Sequence, residues 1–262
     1  MPVILSNAGN AGDSASVFWQ NNKVSQVRSS NSVSTNPAIN MTDPATWSSW
    51  RPSGSNGWAY YDFGAPVSID SVGIAAHNLA TSPSSVSISW STNTLSWSTN
   101  YTYSPTTNDD IIILMQQSTA RYWRISINGS PANIGVVVFG KRLQFPHAPM
   151  DDYKPLHHAR TYTKEFNDSI KGHFLGNRVT ASGAETTVDM GFFERSWMEA
   201  NIRPFERHYN QGGTFFYCGC PNQSPLDMGY CRANGAEETL DISWIEADKL
   251  ASLSFGVKSY VG

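Results

Sequence analysis

The chain has 262 residues, enough for one large domain or two ordinary ones, and is 40% hydrophobic but only 15% charged. A net charge of -3 offers no electrostatic hold on nucleic acid or an anionic membrane. No apolar run is long enough to cross a bilayer, so neither nucleic acid binding nor membrane insertion is expected. Three cysteines are too few, and odd in number, for a disulfide framework.

In chain order, Met1-Pro2-Val3-Ile4-Leu5-Ser6-Asn7 lacks a basic head and a long apolar stretch. No signal peptide is read there, and the protein is expected to be made and kept in a cytoplasm until assembly or lysis. Val67, Ile69, Val72 and Ile74 mark a strand region, and Val86-Ser87-Ile88-Ser89-Trp90 alternates as a half-buried strand does. Ile111-Ile112-Ile113-Leu114-Met115 is an apolar run of strand length. In Ala120-Arg121-Tyr122-Trp123-Arg124-Ile125-Ser126-Ile127-Asn128-Gly129, a strand puts Tyr122, Arg124 and Ser126 on one face and Trp123, Ile125 and Ile127 on the other. Ile134 to Gly140 closes the hairpin. Turn clusters such as Ser82-Pro83-Ser84-Ser85 and Ser91-Thr92-Asn93 separate these runs, and the spacing predicts a sandwich or barrel.

Beyond Gly140 the chemistry changes. Residues 1–140 contain no Glu and few other charges, while all three cysteines and every histidine but His77 lie later. With Pro146 and Pro149 as breakers, the shift predicts two domains, residues 1–143 and 144–262. In the second, Arg160 to Phe166 and His173 to Val179 read as strands. Phe193, Trp197, Phe205 and Tyr209 recur at helical spacing, which predicts one packed helix that Pro204 kinks or divides and Gly212-Gly213 ends. Thr214 to Cys218 and Leu250 to Val261 return to strand.

The order of features in the first part resembles the discoidin-like, or galactose-binding-like, jelly-roll domains over roughly residues 30–140. The pieces are Asn36-Pro37-Ala38-Ile39-Asn40-Met41-Thr42-Asp43 leading to Thr46-Trp47, then Tyr61-Asp62-Phe63-Gly64, Val86 to Asn93 with Trp97, Ala120 to Ile125, and Phe139-Gly140. The second part is similar to distal-tail and minor-tail proteins of long-tailed phage baseplates, in its strand–helix–strand order around Phe192 to Tyr217 and its late strand near Leu250 to Val257. Together the resemblances imply a mainly β protein: an N-terminal jelly-roll β-sandwich and a C-terminal α+β split-barrel-like domain with one packed helix. They imply a structural virion protein of a phage tail tip or baseplate. Such a protein forms a homo-oligomer ring on the tail tube beside other baseplate proteins, and turns a carbohydrate-binding domain toward host cell-surface glycan. The alternative is a free carbohydrate-binding, lectin-like protein, and a third reading is a glycan-degrading enzyme centred on residues 141–262. No Gly-x-Ser-x-Gly, phosphate loop or His-Glu-x-x-His is present, so no enzyme is expected.

An exposed Trp covers the CH face of a sugar while Arg, Asn and His meet its hydroxyl rim. In discoidin-like domains the ligand sits on loops at one end of the sandwich. Trp50, Arg51 and Trp58 in the early loop, with His77 and Asn78 in the next, are therefore the candidate carbohydrate-binding residues. Trp50 and Trp58 serve equally as core or as ligand surface, or as a subunit contact, and Trp47 matches the family position that packs under the sandwich. Arg51 has the alternative of a solvated surface group, and His77 and Asn78 that of a local turn. Asp43 and Thr46 match part of a family calcium site, with a turn cap as the alternative. Cys218, Cys220, Cys231 and His208 would make a four-ligand zinc or iron–sulfur set; the alternative is reduced, half-buried cysteines. His157-His158 with Asp151-Asp152 reads as a solvated linker whose rings diverge. No cofactor is expected.

Overall fold

The structure is a computed structural model that describes residues 3–6, 14–150, 152–245 and 249–261. In chain order the strands are β1 (Val3–Ser6), β2 (Ser16–Phe18), β3 (Gln26–Ser29), β4 (Asn56–His77), β5 (Ser84–Ser91), β6 (Ser98–Tyr103), β7 (Ile111–Gly129), β8 (Ile134–Gly140), β9 (Leu143–Gln144), β10 (Arg160–Asp168) and β11 (Phe174–Glu194). Two helices follow, α1 (Arg195–Asn201) and α2 (Arg203–Asn210), then β12 (Phe215–Cys218), β13 (Met228–Arg232), β14 (Asp241–Ile245) and β15 (Leu250–Ser259). The protein is mainly β. Among the described residues no helix is long and apolar enough to cross a membrane.

The chain divides into two compact units. The first takes residues up to Ala148 and also Thr214–Tyr230; the second takes Pro149–Gly213 and Cys231–Val261. The units therefore differ from two consecutive segments, because residues 214–230 return to the first. The return is physical: β12 pairs with β2, whose Phe18 ring stacks on Phe216 at 5.3 Å, and β2 pairs with β9. Phe216 also covers Gly73, where any Cβ would collide with its ring.

In the first unit a seven-stranded sheet runs β3-β4-β7-β5-β6, with β8 added to β4 and β1 to β7. The long strands β4 and β7 serve both layers of a sandwich. Asn56 to Asp62 of β4 pairs with the Tyr122–Asn128 part of β7, and Val67 to Ile74 pairs with the Ile111–Ala120 part. The pairing register shifts between Asp62 and Val67, where Gly64 takes the left-handed region (φ 77°) and donates its N–H to Asp62 Oδ1 at 2.7 Å. Period-2 alternation decides what is buried. Ala59, Tyr61 and Phe63 of one layer face Val72, Ile74, Ile113, Val137 and Phe139 of the other. Tyr61 meets Phe139 edge-on at 5.1 Å and donates its hydroxyl to Val137 O at 3.1 Å, so its polar end is satisfied inside the core. The sequence runs Ile111–Met115 and Ala120–Gly129 are thus one bent strand.

The second unit is a sheet with helices on one face. β11 pairs with β10 and β15, and β15 also receives β14 and the Cys231–Arg232 end of β13. Phe205 and Tyr209 of α2 pack on Phe255 of β15 at 5.6 and 5.8 Å. Tyr209 donates its hydroxyl to Gly256 O at 2.6 Å. The single helix expected from periodicity is two: α1 ends at Ile202, and Pro204, which has no N–H to give, sits in the first turn of α2. The β10–β11 hairpin stands apart: every residue of 160–182 except Ser169 is exposed.

Candidate functional site

The outward face of the first layer carries the most distinctive surface chemistry of the molecule. The alternation that buries Tyr61, Trp123 and Ile88 turns Trp58 and Tyr60 of β4, Tyr122, Arg124 and Ser126 of β7, and Ser87 and Ser89 of β5 the other way. Register then lays them in rows: Trp58–Ser126–Ser87, and Tyr60–Arg124–Ser89. Trp58 stacks on Tyr60 (5.7 Å, 13°), and Tyr122 meets Tyr60 edge-on at 5.8 Å.

Trp97 arrives from the turn between β5 and β6. That turn is fixed by its own side chains: Ser91 Oγ accepts the Asn93 and Thr94 amides, and Asn93 Oδ1 accepts those of Leu95 and Ser96. The indole N–H donates to Thr94 O at 3.1 Å, which sets the ring over the sheet. There it lies 5.6 Å from Tyr60 and covers the Arg124 guanidinium at 4.1 Å. Burial disfavours the charged form of Arg124, and its Nε is buried without a hydrogen-bond partner. Arg121, by contrast, is committed: Nε and Nη2 clamp Asp62 at 2.7 and 2.9 Å, and this fork holds the Asp62 carboxyl below the usual carboxylate range. Along the strands the serine rows end in a shallow cavity of about 370 Å³ lined by Ala80, Pro83, Ser84, Ser85, Ser104, Pro105 and Asn128.

Of the residues singled out from sequence, Trp58 belongs to this face. The others are placed differently. Trp50 is fully buried; its indole donates to Ser32 Oγ at 3.0 Å and its backbone bridges Ile134, so it has no face to offer a ligand. Trp47, expected in the core, is 87% exposed, because Trp50 fills the interior place three residues later. Arg51 is exposed on the same loop. His77 is buried, with Nε2 2.8 Å from Asp109 O, and burial pushes its pKa down to about 4. Asn78 Oδ1 accepts the Asn133 amide at 2.6 Å. Both His77 and Asn78 are turn-builders, set by local hydrogen bonding.

The metal candidates do not assemble. Among the described residues no three His, Cys, Asp or Glu side chains come together to hold an ion. Asp43 Oδ1 accepts the Ala45 amide at 2.9 Å, the turn cap, and Thr46 lies in that loop. Cys218 is buried in β12, and burial pushes its thiol up to about 12; Cys220 follows it, whereas Cys231 and His208 belong to the second unit. His157 and His158 lie ring against ring at 4.0 Å instead of diverging, because they sit in a turn; Asp151 lies outside the described residues. In the second unit a cavity of about 390 Å³ is lined by Asp152, Asp189 and Asp241 with Met150, Met190 and Ser252 to Ser254.

Sequence reasoning missed Tyr60, Trp97 and Arg124 as a group. The alternation of Tyr122, Arg124 and Ser126 did signal the face; the register that sets β4 beside it is a long-range property.

In comparisons with known proteins, no family model and no curated protein matches the sequence. Solved structures are similar over part of the chain. The CBM32 of AlyQ in complex with 4,5-unsaturated mannuronic acid shares 24% identity over 44% of this chain and 94% of its own (TM-score 0.39). A pectin-binding carbohydrate binding module shares 18% over 45% and 91% (TM-score 0.40). A chitosan-binding module of a chitosanase/glucanase from Paenibacillus sp. IK-5 shares 17% over 47% and 98% (TM-score 0.39). These three structures, similar to a little under half of this chain, are carbohydrate-binding modules.

Proposed function

We propose that the protein binds glycans, and does so on the outward sheet face of its first unit. One observation carries the reading: Trp58, Tyr60, Trp97 and Arg124 form a braced aromatic and cationic platform beside a floor of Ser87 and Ser126. The half-buried indole faces of Trp58 and Trp97 take the CH side of a pyranose, with the almost fully buried Tyr60 bracing them from behind, and guanidinium, serine and asparagine groups take its hydroxyls. From Arg124 to Asn128 the strand advances about 14 Å, room for two or three sugar rings. The platform's rings already brace one another without a ligand, so little ordering cost opposes a shallow site. The role is binding rather than turnover.

The test is an oligosaccharide binding screen of the intact chain, followed by variants. Trp58→Ala should weaken binding about tenfold, the loss of one stacking face, while Trp47→Ala on the exposed loop leaves it unchanged. If Trp47→Ala or Arg51→Ala abolishes binding and Trp58→Ala does not, the ligand sits on the loops and the platform is not the site. The tail-assembly expectation for residues 144–262, with its ring and tail-tube partners, has no comparable observation behind it.

A further inference from the structure

We propose that the platform selects acidic sugars, with Arg124 as the residue that receives their carboxylate or sulfate group. This rests on the glycan-binding reading above and narrows it to a substrate class.

Three observations support it. First, the Arg124 side chain has no hydrogen-bonding or charged partner among the described residues. Arg121 spends its fork on Asp62, and Arg28, opposite Tyr60, donates Nε to Gln26 Oε1 at 2.9 Å. Among the described residues no carboxylate pairs with Arg124. Second, the guanidinium lies 4.1 Å from the Trp97 ring centre and beside the almost fully buried Ser89, with Nε closed off from solvent. With Nε closed off, the terminal nitrogens are what remains of its five-donor fork for a carboxylate or sulfate to meet. Third, the neighbours along the rows are neutral hydroxyls and amides, Ser126, Ser87, Ser85 and Asn128, which suit the hydroxyls of adjoining sugar units and do not repel an anion. A half-desolvated cation without a counter-charge is costly in an empty site, and an acidic ligand removes that cost.

The experiment compares three probes by calorimetry on the full chain: a galacturonate hexasaccharide, the same hexasaccharide with its carboxyl groups reduced to primary alcohols, and a sulfated galactan hexasaccharide. Expected is at least tenfold tighter binding of one acidic probe than of the reduced one, the effect of a charge-assisted hydrogen bond, and a preference that shrinks as salt rises. The stronger of the two acidic probes identifies the acid. In Arg124→Lys, which keeps the charge but loses the planar fork, the preference should fall by severalfold; in Arg124→Gln it should vanish. Melting curves of both variants establish that they fold, and the salt dependence of the unaltered chain tests the idea without any variant. Equal binding of acidic and reduced probes, or a preference that survives Arg124→Gln, overturns the acid selectivity alone. Absence of binding by all three, or binding indifferent to Trp58→Ala, overturns the platform itself.

Discussion

Two of the molecule's aromatic surfaces differ in kind. On the outward face of the first unit, Trp58, Tyr60, Trp97 and Tyr122 brace one another, and Tyr60 is 9% exposed although it sits on the surface of the sheet. On the β10–β11 hairpin of the second unit, Phe166 and Phe174 are 70% and 91% exposed, and Ile170 at the tip is fully open. Exposure alone therefore does not say how firmly an aromatic side chain is held. The first surface is preorganised by register and by the core beneath it, whereas the second is a two-stranded ribbon, which is marginally stable by itself in water.

The largest expected effect breaks the platform from below. Trp123 is buried directly behind Tyr122 and Arg124 and packs on Phe139 at 6.0 Å. Trp123→Ala should cost about 3–5 kcal/mol in urea denaturation and abolish glycan binding with it. A loss under about 1 kcal/mol would mean that the core does not support the face.

Next comes a pH effect at the start of β7. Asp110 is buried and accepts the Tyr230 amide at 2.8 Å; burial pushes its carboxyl up to about 7. The folded chain keeps a proton there that an unfolded Asp releases near pH 4, so this contribution to stability is full below about 4 and is lost as pH rises to 7. His77, pushed down to about 4, acts oppositely: its contribution is full above about 6.5 and is lost as pH falls toward 4. In the unaltered chain the two slopes oppose each other between those values. Asp110→Asn keeps the Tyr230 acceptor and should be more stable than the parent by about 2 kcal/mol at pH 8. Its stability should also climb with pH between 4 and 6.5. Denaturation across a pH series measures both, and identical curves for the two proteins would contradict the assignment.

A smaller effect separates bracing from burial. Trp97→Ala removes the lid of Arg124 and should lower stability by about 1 kcal/mol. It should also loosen acidic-glycan binding by more than that loss in stability alone explains, which calorimetry and melting measure side by side.

The smallest effects belong to the hairpin. Phe174→Ser should shift stability by less than about 0.5 kcal/mol. Amides of residues 160–182 should exchange far faster than those of β4 and β7, and limited proteolysis should cut near Ser169 to Gly172 first. Slow exchange in the hairpin would mean that it is as well supported as the platform.

Much of the fold was legible in the sequence, and the reason is periodicity. Alternation in Ala120–Gly129 assigned both faces of that strand, Tyr122, Arg124 and Ser126 out and Trp123, Ile125 and Ile127 in, and helical spacing found Phe205 and Tyr209. The early loop has no period, so nothing local distinguishes Trp47 from Trp50; a tertiary choice buries one and exposes the other. The platform was half legible for the same cause. Its β7 members are visible from one strand, but Tyr60, Trp58 and Trp97 join them only through pairings between distant segments.

The bend shared by β4 and β7 has a mechanical consequence. Each of these strands begins in one layer and finishes in the other, so the outer face cannot tilt to suit a visitor without dragging the opposite wall along with it. For a glycan bound as proposed, discrimination resides in which atoms the surface presents rather than in how far it yields, and changing the partner requires exchanging outward side chains while the scaffold stays put.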